Sequence, residues 1–242
     1  MRRGSFLLAL AVAMFLLVSP AFADIFNFGD SAIYWPGYEA TNDAYGPDNS
    51  RDEIGEPQLS AVQVERDSLG VKSIGILGKG YSFPLLKPGD LFLDVGPFGT
   101  PTWSYVVSLE QNPLPGNYPI LQVSIPLNDT AAYKMTGNDN TWPWEGYDIR
   151  NQHPYALANP ADSSYTTWGT AFFTGFVENG YTTFSFESPI PVTGDFIVGW
   201  TINCANDVIY EVDSVPVPEP VTMLLLGFGL VGLIGIRKKL RK

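Results

Sequence analysis

Phe172-Phe173-Thr174-Gly175-Phe176-Val177-Glu178-Asn179-Gly180-Tyr181-Thr182-Thr183-Phe184-Ser185-Phe186 is the stretch that decides the class of the fold. Aromatic and β-branched residues lead up to Asn179-Gly180 and lead away from it again, and such side chains suit a pleated, half-buried surface. Asn-Gly is the favoured two-residue hairpin turn because both positions need positive φ. A turn of that kind sets Glu178 opposite Tyr181 and Phe173 across from Phe186. Phe184 then shares their face, while Thr183 and Ser185 look the other way.

The same signals extend in both directions from this hairpin. Strands are expected over 71–77, 91–95, 102–109, 118–125, 168–177, 181–186, 195–203 and 207–212, with Gly, Pro, Asn and Asp between them. A second hairpin joins the last two through Cys204-Ala205-Asn206-Asp207. Stretches 24–66 and 137–164 are irregular and polar and read as long loops. Eight or so strands at this spacing suggest an all-β domain, a jelly-roll-like β-sandwich. There is no internal repeat. Cys204 is the only cysteine of the 242 residues, so no intrachain bridge is possible. It follows an apolar run and reads as a buried small hydrophobe, with a free thiol that pairs between molecules as the alternative.

Both ends of the chain look like addresses. Met1-Arg2-Arg3, an apolar stretch from Phe6 to Val18 and then Ala21-Phe22-Ala23 give the positive start, hydrophobic region and small-residue box of a signal peptide. Cleavage by signal peptidase after Ala23 leaves Asp24 first. At the other end, Val215-Pro216-Val217-Pro218-Glu219-Pro220 is spaced by prolines that exclude a helix interior. An uncharged apolar run follows over 221–236, long enough for about 24 Å of transmembrane helix. Arg237, Lys238, Lys239, Arg241 and Lys242 then act as a cytoplasmic stop and leave the body outside.

The order of these parts resembles the PEP-CTERM sorting signal of Gram-negative bacteria. The likeness rests on Pro218-Glu219-Pro220, the Gly-rich helix from Met223 to Leu233 and the basic terminus. It implies that an exosortase in the inner membrane cuts near the motif and passes the body to the cell surface or extracellular matrix, in the company of exopolysaccharide and biofilm. Three phrases of the body are also similar to ones found in PEP-CTERM ectodomains: Lys87-Pro88-Gly89-Asp90-Leu91-Phe92-Leu93-Asp94, Trp103-Ser104-Tyr105-Val106-Val107 and Trp200-Thr201-Ile202-Asn203-Cys204-Ala205-Asn206-Asp207. The expected organisation is a signal peptide (1–23), an all-β extracellular domain (24–215) and a sorting tail (216–242). The competing reading of the tail is a permanent single-pass anchor. A Gram-positive wall signal lacks its Leu-Pro-x-Thr-Gly, and a glycolipid signal would end on its apolar stretch.

Charge narrows the partners. Seven of the 14 basic residues lie in the two end segments, while all 25 acidic ones lie between Asp24 and Glu219, a net −18 over that stretch. Such a body repels nucleic acid and anionic lipid. His153 is the sole histidine, in a polar loop, and reads as structural or idle; no Gly-x-Ser-x-Gly accompanies it. Asp43, Asp48, Asp52 and Glu53 offer oxygen ligands that suit calcium, with Asx-turns as the alternative reading. Trp35, Tyr38, Trp142 and Trp144 lead a set of loop aromatics that either stack on sugar rings or pack as lids over the core. The leading expectation is a non-enzymatic surface or matrix protein. A carbohydrate-binding module comes second and a polysaccharide-active enzyme third.

Overall fold

The computed structural model describes residues 24–30, 32, 34–38, 57–81, 86–96, 102–110, 112–136, 152–192, 194–205 and 207–213. In chain order the strands are β1 (Asp24–Gly29), β2 (Gln58–Asp67), β3 (Gly70–Lys79), β4 (Leu91–Asp94), β5 (Thr102–Val107), β6 (Gly116–Pro126), β7 (Tyr133–Met135), β8 (Pro154–Leu157), β9 (Thr166–Phe173), β10 (Gly180–Ile190), β11 (Phe196–Thr201) and β12 (Val208–Asp213). A single 3₁₀ turn, Thr130–Ala132, precedes β7.

Ten of the strands form one sheet in the order β1-β2-β3-β10-β9-β6-β5-β4-β11-β12, every pair antiparallel. The sheet is nearly closed on itself. Past the end of β1, the Leu59 backbone N–H of β2 donates to the Asp207 carboxylate at the start of β12, which draws the two ends of the sheet together. Turn spacing suggested two facing sheets; it counts strands but does not say which ones pair. Here the joins between distant segments, β3 with β10 and β4 with β11, make a single curled sheet.

Alternation along the strands builds the inner core. Val62 and Val64, Ile74 and Ile76, Phe184 and Phe186, Val198 and Trp200 all point into one buried cluster, and Cys204 lies in it too. Burying a side chain of this size stabilises by about 1.5–3 kcal/mol. A second cluster lies on the opposite face of β4, β5, β6, β11 and β12. The two-stranded β7–β8 sheet and the Trp35–Tyr38 turn cover it. Strands buried on both faces are apolar without alternation, as in Phe196-Ile197-Val198.

Two expectations are corrected. The stretch 24–66 is not a plain loop, since it holds β1 and all but the last residue of β2; likewise β8 lies within 137–164. Strand β2 hides its inward Leu59, Val62 and Val64 among charged and amide residues, which masks the alternation. The β9–β10 hairpin is also shifted by two residues, for Phe173 faces Phe184 and Ala171 faces Phe186. The chain leaves the ladder early at Gly175 (φ +76°) and turns through Asn179 (φ 54°), with Gly180 N–H donating to the Val177 carbonyl at 3.3 Å. Glu178 is drawn off to accept the Gly80 and Tyr81 amides at 2.8 Å each, so it never faces Tyr181. The facing of Phe173, Phe184 and Phe186 into the core survives because a shift of two preserves side-chain direction.

Candidate functional site

The three phrases singled out in the body meet in space. Lys87 and Asn203 exchange hydrogen bonds at 3.0 Å, Pro88 bridges to Ile202, and Gly89 N–H donates to the Thr201 carbonyl at 2.9 Å. The Trp200 indole donates to the Gly89 carbonyl at 3.0 Å. A Cβ on Gly89 would lie 2.2 Å from the Tyr155 carbonyl oxygen and 2.6 Å from that of Thr201, so only glycine fits between β8 and β11. Trp103 rests against Gly199, where a Cβ would lie 2.7 Å from the indole.

Buried carboxylates close this knot. Asp90 accepts the Leu109 and Leu157 amides, each at 2.8 Å, and joins the strand after it to the β8 cover. Burial pushes its pKa up to about 6, against the opposing pull of those two amides. Asp94 accepts from Gly96 (2.8 Å) and Thr102 (3.1 Å) and clamps the β4–β5 connection. A carboxylate whose two oxygens hold backbone amides braces the segments that carry them.

His153 is another such brace. It is fully buried; its Nε2 accepts the Trp35 N–H at 3.1 Å and its Nδ1 faces the Pro154 carbonyl at 2.8 Å. Those partners set the neutral tautomer with the proton on Nδ1. Trp35 donates its indole N–H to the Ile209 carbonyl at 3.1 Å and meets Phe92 and Trp103 at ring distances of 5.2 and 5.4 Å. The Tyr38 hydroxyl donates to the Leu127 carbonyl at 2.6 Å, and burial pushes its pKa up to about 12. Trp35 and Tyr38 are thus corrected from candidate sugar platforms to core lids, because both rings are buried under backbone partners.

The remaining ligand candidates, Asp43, Asp48, Asp52, Glu53, Trp142 and Trp144, lie outside the described residues. Among the described residues no group of three or more His, Cys, Asp or Glu is placed to hold a metal. One feature escaped the sequence reading. Phe172 is 45% exposed on the outer face, in a shallow depression of about 330 Å³ with Asn117, Thr170, Ser185, Phe186 and Glu187. Its signal was present in Phe172-Phe173, since neighbouring residues of a strand face opposite ways and only one of the two can enter the core.

Residues 216–242 match the PEP-CTERM protein-sorting motif. The chain carries a PEP-CTERM sorting signal. No curated protein and no solved structure matches it. The PEP-CTERM motif marks the protein for export and exosortase-dependent sorting to the surface or beyond it, with exosortase as the processing partner. Ala21 and Ala23, Pro218, Glu219 and Pro220, the span 221–236 and the basic residues Arg237, Lys238, Lys239, Arg241 and Lys242 all lie outside the described residues. Among the described residues no helix is long and apolar enough to cross a membrane. The PEP-CTERM signal follows the sheet closely in sequence, for Pro218 is the fifth residue after Asp213, the end of β12.

Proposed function

We propose that this PEP-CTERM protein is a non-enzymatic structural component of the cell surface or extracellular matrix. Signal peptidase removes 1–23, the apolar run 221–236 holds the chain in the inner membrane, and exosortase cuts near Pro218-Glu219-Pro220. The motif at 216–242 carries this reading. The body supports it in a specific way: His153, Asp90 and Asp94 spend their polar atoms on backbone groups that tie strand to strand.

Changing Pro218, Glu219 and Pro220 together to alanine leaves a full-length tail in the inner membrane, read by fractionation and intact mass. Normal surface delivery of that variant overturns the route. A structural role also makes matrix stiffness rise in proportion to the amount of mature protein supplied. Saturation at trace amounts, as a catalyst would show, overturns the role.

A second reading, a carbohydrate-binding module, is favoured by the Phe172 depression. A ring face beside an amide, two hydroxyls and a carboxylate has the chemistry to stack on and hydrogen-bond a neutral sugar. Binding of neutral glycans on an array that disappears with Phe172→Ala supports it. Equal retention by both proteins, or none by either, removes it.

A further inference from the structure

We infer that the rim carrying the start of β1, the β2–β3 turn and the end of β12 is the face this body turns toward the membrane and offers to the outward surface of the sorting protease. The inference rests on the exosortase route proposed above and adds which face of the body is engaged.

Topology supplies the first argument. The ladder places Asp24 beside Arg66, Asp67 beside Gly70 and Asp213 beside Phe196. In a sheet of ten strands whose neighbours are all antiparallel, the first strand leaves from one rim and the last returns to it. Strands β1 and β12 are those two, so both ends of the described body emerge at one rim. Each is followed or preceded in sequence by an apolar address.

Reach supplies the second. Pro218, five residues beyond Asp213, lies at most about 18 Å from it along extended chain, and Val221 at most about 29 Å. Strands β6 and β10 are 11 residues long, about 36 Å at the usual rise. The tether is therefore too short to run back along the sheet and turn the opposite rim to the membrane.

Surface chemistry names the occupant. Among the described residues six large apolar side chains are exposed, and three of them sit at this rim: Leu69 (70%), Ile25 (59%) and Val212 (44%). Acidic residues stand near them in the ladder, namely Asp24 at the start of β1, Asp67 at the end of β2 and Asp195 just before β11, the neighbour of β12. Of the two basic residues that flank that turn, Arg66 is buried and Lys72 is engaged by Glu65 at 3.9 Å and Asp67 at 3.8 Å. An anionic leaflet repels such a rim, whereas a protein surface with apolar and basic groups complements it.

The test uses the full chain in cells that hold the sorting enzyme. A photoreactive amino acid replaces Leu69 at this rim or, as the control, exposed Leu114 beside the opposite rim. The position of Leu69 yields a protease adduct several-fold more strongly than that of Leu114. A long Gly-Ser insertion after Val215 brings the Leu69 adduct down to the control level while processing continues. Equal adducts from both positions, no protease adduct from Leu69, or an adduct with lipid alone overturns the inference. If processed mature protein is found in those same cells, the sorting route still stands. If no processed form is made, both fall.

Discussion

The outer face of the sheet has two unlike halves. Over β4, β5, β6, β11 and β12 the outward residues are Phe92, Trp103, Val106, Leu121, Val123, Ile197 and Val208, and a second layer seals them. Over β2, β3, β9 and β10 the outward residues include Gln63, Glu65, Ser73, Thr170, Thr183 and Ser185, and among the described residues nothing is layered on them. The inner core runs continuously beneath both halves. One sheet thus obeys two patterns: apolar on both faces where it is covered, alternating where it is bare. The difference shows that the cover is specified in the strands as well as in the loops that supply it.

The largest expected effect comes from breaking the cover at its centre. Trp35→Ala removes a fully buried indole, its bond to the Ile209 carbonyl and its packing on Phe92 and Trp103. The loss is about 3–5 kcal/mol, measured by urea unfolding. Phe172→Ala on the bare half shifts the same curve by less than about 0.5 kcal/mol. Similar losses at the two positions would erase the distinction between the halves.

A smaller effect comes from protons. Asp90 ties the cover strand β8 to the connection after β5, and its folded pKa of about 6 stands above the ordinary 3.8. The folded form therefore binds the proton more tightly than the unfolded one. This contribution is fully present below pH 3.8 and is lost as the pH rises through 6, up to about 3 kcal/mol in all. Unfolding of the native chain measured against Asp90→Asn from pH 4 to 7.5 isolates it from the other carboxylates. The stability difference in favour of the native chain shrinks as pH rises; a constant difference would show that Asp90 does not carry the linkage.

Much of this was legible in the sequence, and the parts that were not share a cause. Strands rich in aromatic and β-branched residues declare themselves, as Thr102–Val107 and Phe196–Thr201 do. Strand β2 does not, because its outward positions are charged or amide and its signal drowns among them. The register of the β9–β10 hairpin depends on Glu178 finding amides on a distant turn, a tertiary contact invisible to local turn rules. The role of Trp35 depends on a histidine 118 residues away. The tail, by contrast, is read by a partner through its order of residues, so its meaning is local and needed no contact to be recognised.

The smallest effect is the finest test of the two halves, because the same lesion can be made on each. A Cβ at Gly199 would meet the Trp103 indole at 2.7 Å and the Trp35 ring at 3.1 Å, both fully buried and held by their neighbours. Gly199→Ala therefore overpacks a place with no room to yield and costs about 1–3 kcal/mol. A Cβ at Gly75 meets the Tyr181 ring at 3.1 Å, but that ring is half-buried on the bare face and can swing outward. Gly75→Ala shifts stability by less than about 0.5 kcal/mol, since a relieved contact costs little and alanine sits better than glycine in a strand. A loss at Gly75 equal to that at Gly199 would mean that the bare half is as rigid as the covered one, and that the second layer adds burial without adding constraint.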